Sequence, residues 1–147
     1  MKETRKRQIW VKGALVEVPL ASDLFAFGVV LDQPLIAFLD IKPTEAWQPE
    51  FERNLESLFK LDVYIQVISK GVWLKVGKIK LDDFDAGEPF RYVEDVFTKR
   101  FSLYHSTKFG TDFMVPCEEA DTAGLEVMAV WDACHVEERL REHFGIL

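Results

Sequence analysis

The chain has 147 residues, of which 48% are hydrophobic and 13% aromatic, so it can bury a core and is neither disordered nor fibrous. No apolar run approaches the roughly 20 residues of a membrane-spanning helix. The basic N-terminus lacks the apolar segment of a secretory signal, and the net charge of −7 opposes binding to phosphate backbones. We therefore expect a single domain over residues 1–147, located in the cytoplasm.

The charges are unevenly placed. Residues 1–8 are basic and are predicted to form a flexible arm, which either pairs with the acidic body or touches nucleic acid or lipid headgroups. Two later stretches, 82–95 and 112–126, concentrate acidic side chains. Such a field attracts basic partners, although solubility is the simpler role for any single acidic residue.

Residues 11–42 predict three consecutive β-strands with short connections. Ala14–Leu20 alternates apolar and polar positions, as a half-buried strand does. Leu24–Asp32 places large apolar residues on one face and small or apolar residues on the other. Pro34–Ile41 is apolar almost throughout, which indicates a strand covered on both faces.

The middle of the chain predicts one short helix. Within Pro49–Phe59, four apolar residues recur at helical spacing and would form one stripe: Phe51, Leu55, Leu58 and Phe59. Proline suits the first helical turn, where a missing N–H costs nothing. A long irregular loop is the alternative for this segment.

The next segments predict strands separated by an acidic loop. Leu61–Ser69 and Val72–Ile79 form a predicted hairpin around a Lys-Gly turn. Leu81–Asp95 is acidic and contains Gly and Pro, so we expect a surface loop. Val96–Tyr104 alternates like a further strand.

The C-terminal part predicts a loop, a strand and a closing helix. His105–Gly124 is mostly loop, with a possible turn of helix around Glu118–Ala120. Leu125–Trp131 looks like a strand, Asp132 is a good helix N-cap, and Gly145 suits the position after the helix. An apolar stripe lies between them at every fourth position: Val136, Leu140 and Phe144.

Together these elements predict an α+β fold. It is dominated by a strongly bent antiparallel sheet, or by a small SH3-like barrel at the N-terminal end. One helix lies mid-chain and one closes the C-terminus. No internal repeat or long linker divides the chain.

No catalytic or phosphate-binding motif is found in the sequence. His135 and His143 lie eight positions apart, about 12 Å along a helix, which is too far for both rings to share one metal ion. Cys117 and Cys134 lack zinc-site spacing and predict two free thiols, with a disulfide as the alternative. We therefore expect no enzymatic activity, no metal and no cofactor.

The aromatic residues allow two interpretations. The four tryptophans are spread along the chain and most simply pack the core. An exposed cluster of Tyr64, Trp73 and Tyr92 could instead stack on bases or anchor a partner. The negative field disfavours bases.

Three segments carry a family resemblance. They are Gly13–Ile41, the sequence VWLKVGKIKL, and the ending GLEVMAVWDACHVEERLREHF. The chain, over roughly Arg5–Gly145, resembles the immunity protein 26 family, bacterial proteins encoded beside polymorphic toxins. The resemblance implies a non-enzymatic inhibitor that binds a cognate toxin, commonly a nuclease, and it specifies no toxin-facing residue.

The candidate partner-binding residues are chosen from charge alone, because an acidic protein can occupy the basic cleft of a nuclease as a phosphate mimic. They are Asp82, Asp83, Asp85, Glu88, Glu118, Glu119 and Asp121. The expected partner is the toxin, with no nucleic acid and no membrane. The alternative function is an SH3-like binding module for a peptide or nucleic acid. A small enzyme is the third possibility, and the sequence leaves the oligomeric state open.

Overall fold

The structure is a computed structural model that describes residues 7–110 and 112–146. The chain divides into two compact units, residues 1–86 with 130–147 and residues 87–129. We call them unit 1 and unit 2 and describe each by itself. The expectation of a single domain stays a prediction.

The described residues contain ten strands, two α-helices and two 3-10 turns. The strands are β1 (Ala14–Ala21), β2 (Leu24–Val30), β3 (Leu35–Leu39), β4 (Ser57–Val63), β5 (Leu74–Lys78), β6 (Arg91–Glu94), β7 (Phe101–Tyr104), β8 (Met114–Cys117), β9 (Glu126–Val127) and β10 (Val130–Trp131). The helices are α1 (Gln66–Ser69) and α2 (Ala133–Phe144), and the 3-10 turns are Pro49–Arg53 and Glu119–Thr122.

Unit 1 is built on a six-stranded sheet with the order β10-β4-β3-β2-β1-β5. The predicted three-strand meander is confirmed, since β1, β2 and β3 pair antiparallel in sequence order. The α+β class is confirmed too. Both sheets of the molecule are mixed, because β10 runs parallel to β4 and β9 runs parallel to β6. Within the described residues neither sheet closes into a barrel, so the SH3-like barrel is not confirmed.

The central strands β2 and β3 of unit 1 are buried on both faces, because side chains alternate across a strand and both alternating sets are apolar. In β3, Ile36 and Phe38 belong to one core, whereas Leu35, Ala37 and Leu39 belong to the other. All five are buried, as the unbroken apolar run predicted. Helix α2 covers the first face with Val136 and Leu140. Two separate segments cover the second face, one before the turn Pro49–Arg53 with Trp47 and one after β5 with Phe84.

Helix α2 confirms the predicted closing helix. Asp132 occupies the N-cap position, and Gly145 ends the helix in the left-handed conformation with φ of 67°. Such a φ suits glycine because it has no Cβ. Val136 and Leu140 are fully buried, and the stripe ends at the partly buried Phe144.

The predicted mid-chain helix is wrong beyond Arg53. Only a 3-10 turn forms, and Phe59 lies in β4, opposite Phe38 of β3. The residues of the expected stripe therefore face different cores: Phe51 and Leu55 pack in the second core and Phe59 in the first. Pairing with β3 overrides the helical spacing.

The predicted hairpin of Leu61–Ser69 with Val72–Ile79 is also wrong. The chain leaves β4 at Val63 and forms α1, whose Val67 and Ile68 are buried. Strand β5 pairs with β1 instead. The partner of β5 is thus more than 50 residues away in the sequence, where local patterns give no information.

Unit 2 is a four-stranded sheet with the order β8-β7-β6-β9. The loop predicted over Leu81–Asp95 ends in strand β6, and the loop predicted over His105–Gly124 contains strand β8. Of the predicted strand Val96–Tyr104, only the part from Phe101 onward is extended. The predicted turn of helix near Glu118 is confirmed as a 3-10 turn.

The predicted strand Leu125–Trp131 is two short strands, β9 in the sheet of unit 2 and β10 in the sheet of unit 1. Residues 1–6 of the predicted arm lie outside the described residues. Gln8, within the same predicted arm, is hydrogen-bonded to the body of unit 1.

Candidate partner-binding site

The seven predicted acidic residues are divided between the two units. Asp82, Asp83 and Asp85 follow β5 in unit 1. Glu88 lies just before β6, and the other three lie at the 3-10 turn after β8: Glu118, Glu119 and Asp121. We consider each group in its own surroundings.

The acidic residues of unit 1 lie among basic side chains. Asp82 and Asp83 are exposed and line an open cleft of about 500 Å³, together with Lys78, Lys80 and Arg53. Asp85 lies 3.4 Å from the ammonium group of Lys60, measured from Oδ1 to Nζ. The side chain of Lys60 is only 9% exposed, whereas that of Asp85 is 88% exposed. The cleft is therefore a mixed-charge surface and not a uniformly acidic one.

Glu88 is committed to contacts within unit 2. Its side chain is 19% exposed and forms an ion pair with Arg91. Ser106 donates to the carboxylate twice, from its hydroxyl and from its backbone N–H at 3.0 Å. Burial raises the pKa of Glu88, but the Ser106 hydrogen bonds and the nearby Arg91 and His105 outweigh it and lower the pKa. This carboxylate stabilises the unit more readily than it binds a partner.

The cluster around Glu88 contains serine and histidine but lacks the arrangement of a nucleophilic site. Nδ1 of His105 accepts the backbone N–H groups of Thr107 at 3.1 Å and Lys108 at 3.2 Å. Nε2 lies 3.2 Å from the carbonyl oxygen of Glu88. Ser106 donates its hydroxyl to the carboxylate and not to the imidazole. A nucleophilic serine needs a base on its hydroxyl, and here both ring nitrogens are occupied by the backbone.

The two histidines of α2 do not converge on a common site. His135 lies 3.7 Å from Asp132 and His143 lies 3.9 Å from Asp40, so each ring has a separate carboxylate neighbour. In the part of the chain that the structure describes, no group of three or more His, Cys, Asp or Glu residues could hold a metal ion. Cys117 and Cys134 are free.

The simpler interpretation of the tryptophans, packing in the core, is confirmed at Trp73, and the alternative of an exposed aromatic cluster is wrong there. This side chain is fully buried in the first core of unit 1, with its ring 5.6 Å from that of Phe38. A buried ring offers no face to a base or a partner. Tyr64 is exposed in unit 1, whereas Tyr92 belongs to unit 2 and lies near Phe101.

The acidic residues after β8 are exposed and held in place by their own turn. The N–H of Glu118 donates to Oδ2 of Asp121 at 2.9 Å, and the side chain of Glu118 accepts from the backbone of Asp121. This reciprocal capping box fixes both carboxylates at the start of the turn. The pKa of the neighbouring Cys117 is raised, first by burial and then by the charges of Asp121 and Glu118.

A hydrophobic side chain protrudes from the loop between β6 and β7. Phe97 is 91% exposed and its neighbour Val96 is 70% exposed. Oδ1 of Asp95 accepts the N–H groups of Phe97 at 2.8 Å and Thr98 at 2.9 Å. These two hydrogen bonds lower the pKa of Asp95. The loop is therefore an ordered Asx-type turn that holds an aromatic ring in solvent.

The ordered loop and the acidic turn lie at the same end of the unit 2 sheet. Phe101, the first residue of β7, is paired with Cys117, the last residue of β8. The loop precedes Phe101 and the acidic turn follows Cys117, so they flank an open cleft of about 470 Å³. We call this end of the sheet the aromatic–acidic end. It is defined by Val96, Phe97, Glu118, Glu119 and Asp121.

Sequence reasoning missed Phe97, because it assigned the residue to an alternating strand. The available signal was Asp95, since aspartate readily accepts hydrogen bonds from the backbone N–H groups that follow it in a turn. The sequence did identify the three acidic residues of the aromatic–acidic end. It could not distinguish them from Glu88, whose neighbours come from residues further along the chain.

Comparison with known proteins finds no family model, no curated protein and no solved structure that matches the chain. The resemblance to the immunity protein 26 family therefore stays a prediction. None of the helices in the described residues is both long enough and apolar enough to cross a membrane.

Proposed function

We propose that the protein is an immunity protein, which binds and neutralises a cognate bacterial toxin through acidic surface residues, with a nuclease as the expected toxin. The observation that carries the proposal is the capping box of Glu118 and Asp121, which holds exposed carboxylates in one orientation. The proposal rests on charge and on the resemblance stated above.

Electrostatic attraction between an acidic surface and a basic cleft supports this function. A nuclease binds a polyanion, so its cleft is basic, and an acidic protein surface can occupy that cleft. Complementary fields steer the two proteins together and raise the association rate by orders of magnitude at low salt. Carboxylates fixed by a turn lose little freedom on binding, so less of the interaction is offset by ordering.

We rank the seven acidic residues as binding candidates by their exposure and their neighbours. Glu118, Glu119 and Asp121 are exposed and close together in sequence. Asp82 and Asp83 form a second candidate group on unit 1, among basic residues. Asp85 lies beside Lys60 and Glu88 is largely covered, so we rank these two last.

The first experiment is co-expression with the product of the adjacent gene, followed by a growth assay and co-purification. We expect growth rescue and a stable complex. Without a toxic neighbour, or with no rescue and no complex, the immunity function is rejected.

The second experiment maps the acidic surface by charge reversal. Glu119→Lys is the variant of choice, because Glu119 is exposed and lies outside the capping box. We expect association to slow several-fold at low salt, and less at high salt, because screening removes the steering field. Glu142→Lys is the matched control, since Glu142 is exposed in the last turn of α2. Equal association rates for the two variants would transfer the proposal to Asp82 and Asp83.

A peptide-binding module is the second candidate function, and one observation favours it. Strand β5 is an edge of the six-stranded sheet, and its Leu74 and Val76 are 41% and 42% exposed. Beyond Lys75, whose N–H donates to Gln8, such an edge can add a peptide as a further strand. Backbone amide shifts confined to β5 on addition of a peptide library would support this function, whereas shifts confined to unit 2 would contradict it. Nucleic acid is less consistent with the structure, because Trp73 is buried.

A further inference from the structure

We propose that Phe97 is the anchor by which the protein docks onto its partner, inserting its ring into an apolar pocket that has basic residues on its rim. This inference deepens the proposed function and rests on it. Phe97 would supply most of the binding affinity, whereas the acidic turn would supply the long-range electrostatic attraction. The partner class is a protein, and the contact is centred on the aromatic–acidic end.

The first step is the exposure of the ring. Phe97 is the most exposed of the large hydrophobic residues described, at 91%, and the adjacent Val96 is 70% exposed. Single exposed apolar residues are common on protein surfaces. Two adjacent ones at a loop tip form a protrusion, which suits a concave surface. Aromatic residues, Phe among them, are enriched in the cores of protein interfaces.

The second step is the rigidity of the tip. The carbonyl of Asp95 accepts the N–H of Lys99 at 2.8 Å, and the N–H of Asp95 donates to the carbonyl of Arg100 at 2.9 Å. Together with the two side-chain bonds of Asp95, these contacts close the loop at its base. Lys99 adopts a left-handed φ of 61°, which turns the chain sharply. A tip already in its binding conformation loses little entropy when it docks.

The third step is the charge beside the ring. The cleft behind the tip has Lys99 and Arg100 on one wall and Glu118 and Glu119 on the other. Asp121 adds a further negative charge to the acidic wall. A partner that receives Phe97 must therefore present basic side chains to the acidic wall. This is the same chemistry that the proposed nuclease toxin would present.

An anionic membrane is the competing occupant of an exposed aromatic and basic tip. Such surfaces hold amphipathic elements through aromatic side chains and through attraction to Lys and Arg. Here three carboxylates lie at the same end of the sheet as two basic residues, namely Lys99 and Arg100. The local charge therefore repels anionic lipid, and a basic protein is the better match.

The test uses the full chain and the purified product of the adjacent gene. We expect Phe97→Ala to raise the Kd of the complex roughly 10- to 100-fold, mainly through faster dissociation. Phe97→Leu should keep most of the affinity, because it keeps an apolar anchor. Val127→Ala is the matched control, since Val127 is an exposed apolar residue of the same unit, on β9. Thermal unfolding of each variant checks that folding is unchanged.

A second variant tests rigidity separately from the ring. Asp95→Ala keeps Phe97 but removes the acceptor for two backbone N–H groups. We expect a loss of affinity several-fold smaller than that of Phe97→Ala. A photo-crosslinking phenylalanine analogue at position 97 should crosslink to the adjacent-gene product, whereas the same analogue at position 127 should not.

The outcomes separate the two proposals. A complex that forms and protects cells, but whose Kd is unchanged in Phe97→Ala, overturns the anchor and leaves the immunity function standing. If no complex forms, both proposals are rejected. The last experiment is co-sedimentation of the protein with vesicles of phosphatidylglycerol and phosphatidylethanolamine. We expect the protein not to sediment with them. Binding to them that is lost in Phe97→Ala would assign the tip to a membrane and overturn the protein anchor.

Discussion

The buried indole of Trp73 donates a hydrogen bond from Nε1 to Oε2 of Glu137, over a distance of 2.8 Å. Trp73 lies just before β5 and is fully buried, whereas Glu137 lies on α2 and is partly buried. A buried indole N–H requires an acceptor. The bond therefore gives α2 a fixed position along the face of the sheet, in addition to the apolar contacts of Val136 and Leu140.

Removing the acceptor should destabilise unit 1. We expect Glu137→Ala to lower the free energy of unfolding by about 1–3 kcal/mol, because it leaves the indole N–H buried without a partner. Glu137→Gln keeps a carbonyl acceptor and should lose less. Urea unfolding followed by tryptophan fluorescence measures both. Glu138→Ala, at the exposed next position, is the control and should change stability by less than about 0.5 kcal/mol. Equal effects at positions 137 and 138 would mean that the bond contributes nothing.

The predictable parts of this fold are those whose information is local. The meander could be predicted because Val16, Val18 and their neighbours alternate with period two and short turns join the strands. Helix α2 could be predicted because its cap, its stripe and its terminal glycine agree: Asp132, Val136, Leu140 and Gly145. When several local signals agree, tertiary context has little to override.

The segment between the meander and unit 2 could not be predicted, because its strand partners are distant. Phe51, Leu55 and Phe59 have helical spacing, yet a 3-10 turn and a strand divide them between two cores. Strand β5 has a hairpin-like sequence, but it pairs with β1. The spacing of apolar residues shows which positions will be buried, but it does not show which part of the chain will cover them.

The candidate site was half predictable for a similar reason. Charge identified Glu118, Glu119 and Asp121 directly from the composition of the segment. The exposure of Phe97 depends on a loop conformation that one side chain, Asp95, sets through its hydrogen bonds. The covering of Glu88 depends on Ser106, which lies 18 residues further along the chain.

The side chain of Gln8 should stabilise the edge of the sheet. Its Nε2 donates to the carbonyls of Trp73 at 2.8 Å and Ile68 at 2.9 Å, and its Oε1 accepts the N–H of Lys75 at 2.8 Å. The carboxamide thus takes the place of a neighbouring strand at the start of β5. We expect Gln8→Ala to cost roughly 1–3 kcal/mol in the free energy of unfolding and to speed hydrogen exchange of the Lys75 amide. Gln66→Ala, at an exposed position, is the control. Unchanged exchange at Lys75 would contradict this role.

Gly28 should resist even the smallest side chain. A Cβ at this position would lie 3.0 Å from Cγ2 of Ile36 and 3.4 Å from Cδ1 of Phe38, both in the first core. We expect Gly28→Ala to destabilise unit 1 by about 1–3 kcal/mol through overpacking. Gly77→Ala is the matched control in β5, because its Cβ would meet Leu15 at an ordinary 3.7 Å. Urea unfolding measures both, and a Gly28→Ala variant as stable as Gly77→Ala would show that β3 yields to the extra methyl group.

The stability of unit 2 should depend on pH through the ionisation of Glu88. Its pKa is lowered from 4.5 in the folded state by the Ser106 hydrogen bonds and by the nearby Arg91 and His105, against the opposing effect of burial. A group with a lowered folded pKa adds stability above its unfolded pKa. That stability is lost as the pH falls from about 4.5 through the lower, folded-state value. Glu88→Gln should therefore be less stable than the wild type at neutral pH, and the difference should shrink in acid.

The measurement is urea unfolding of unit 2 between about pH 3 and pH 7, followed by the NMR signals of the Arg91 and Ser106 amides. Ser106→Ala is the companion variant. This substitution removes one hydrogen bond that lowers the pKa of Glu88. At neutral pH the Ser106→Ala variant should therefore lose less stability than the Glu88→Gln variant. In acid its stability should approach that of the wild type. Wild-type and Glu88→Gln stability curves that run parallel over the whole range would show that Glu88 ionises alike in the folded and unfolded chains. Glu88 would then make no pH-dependent contribution to the stability of unit 2.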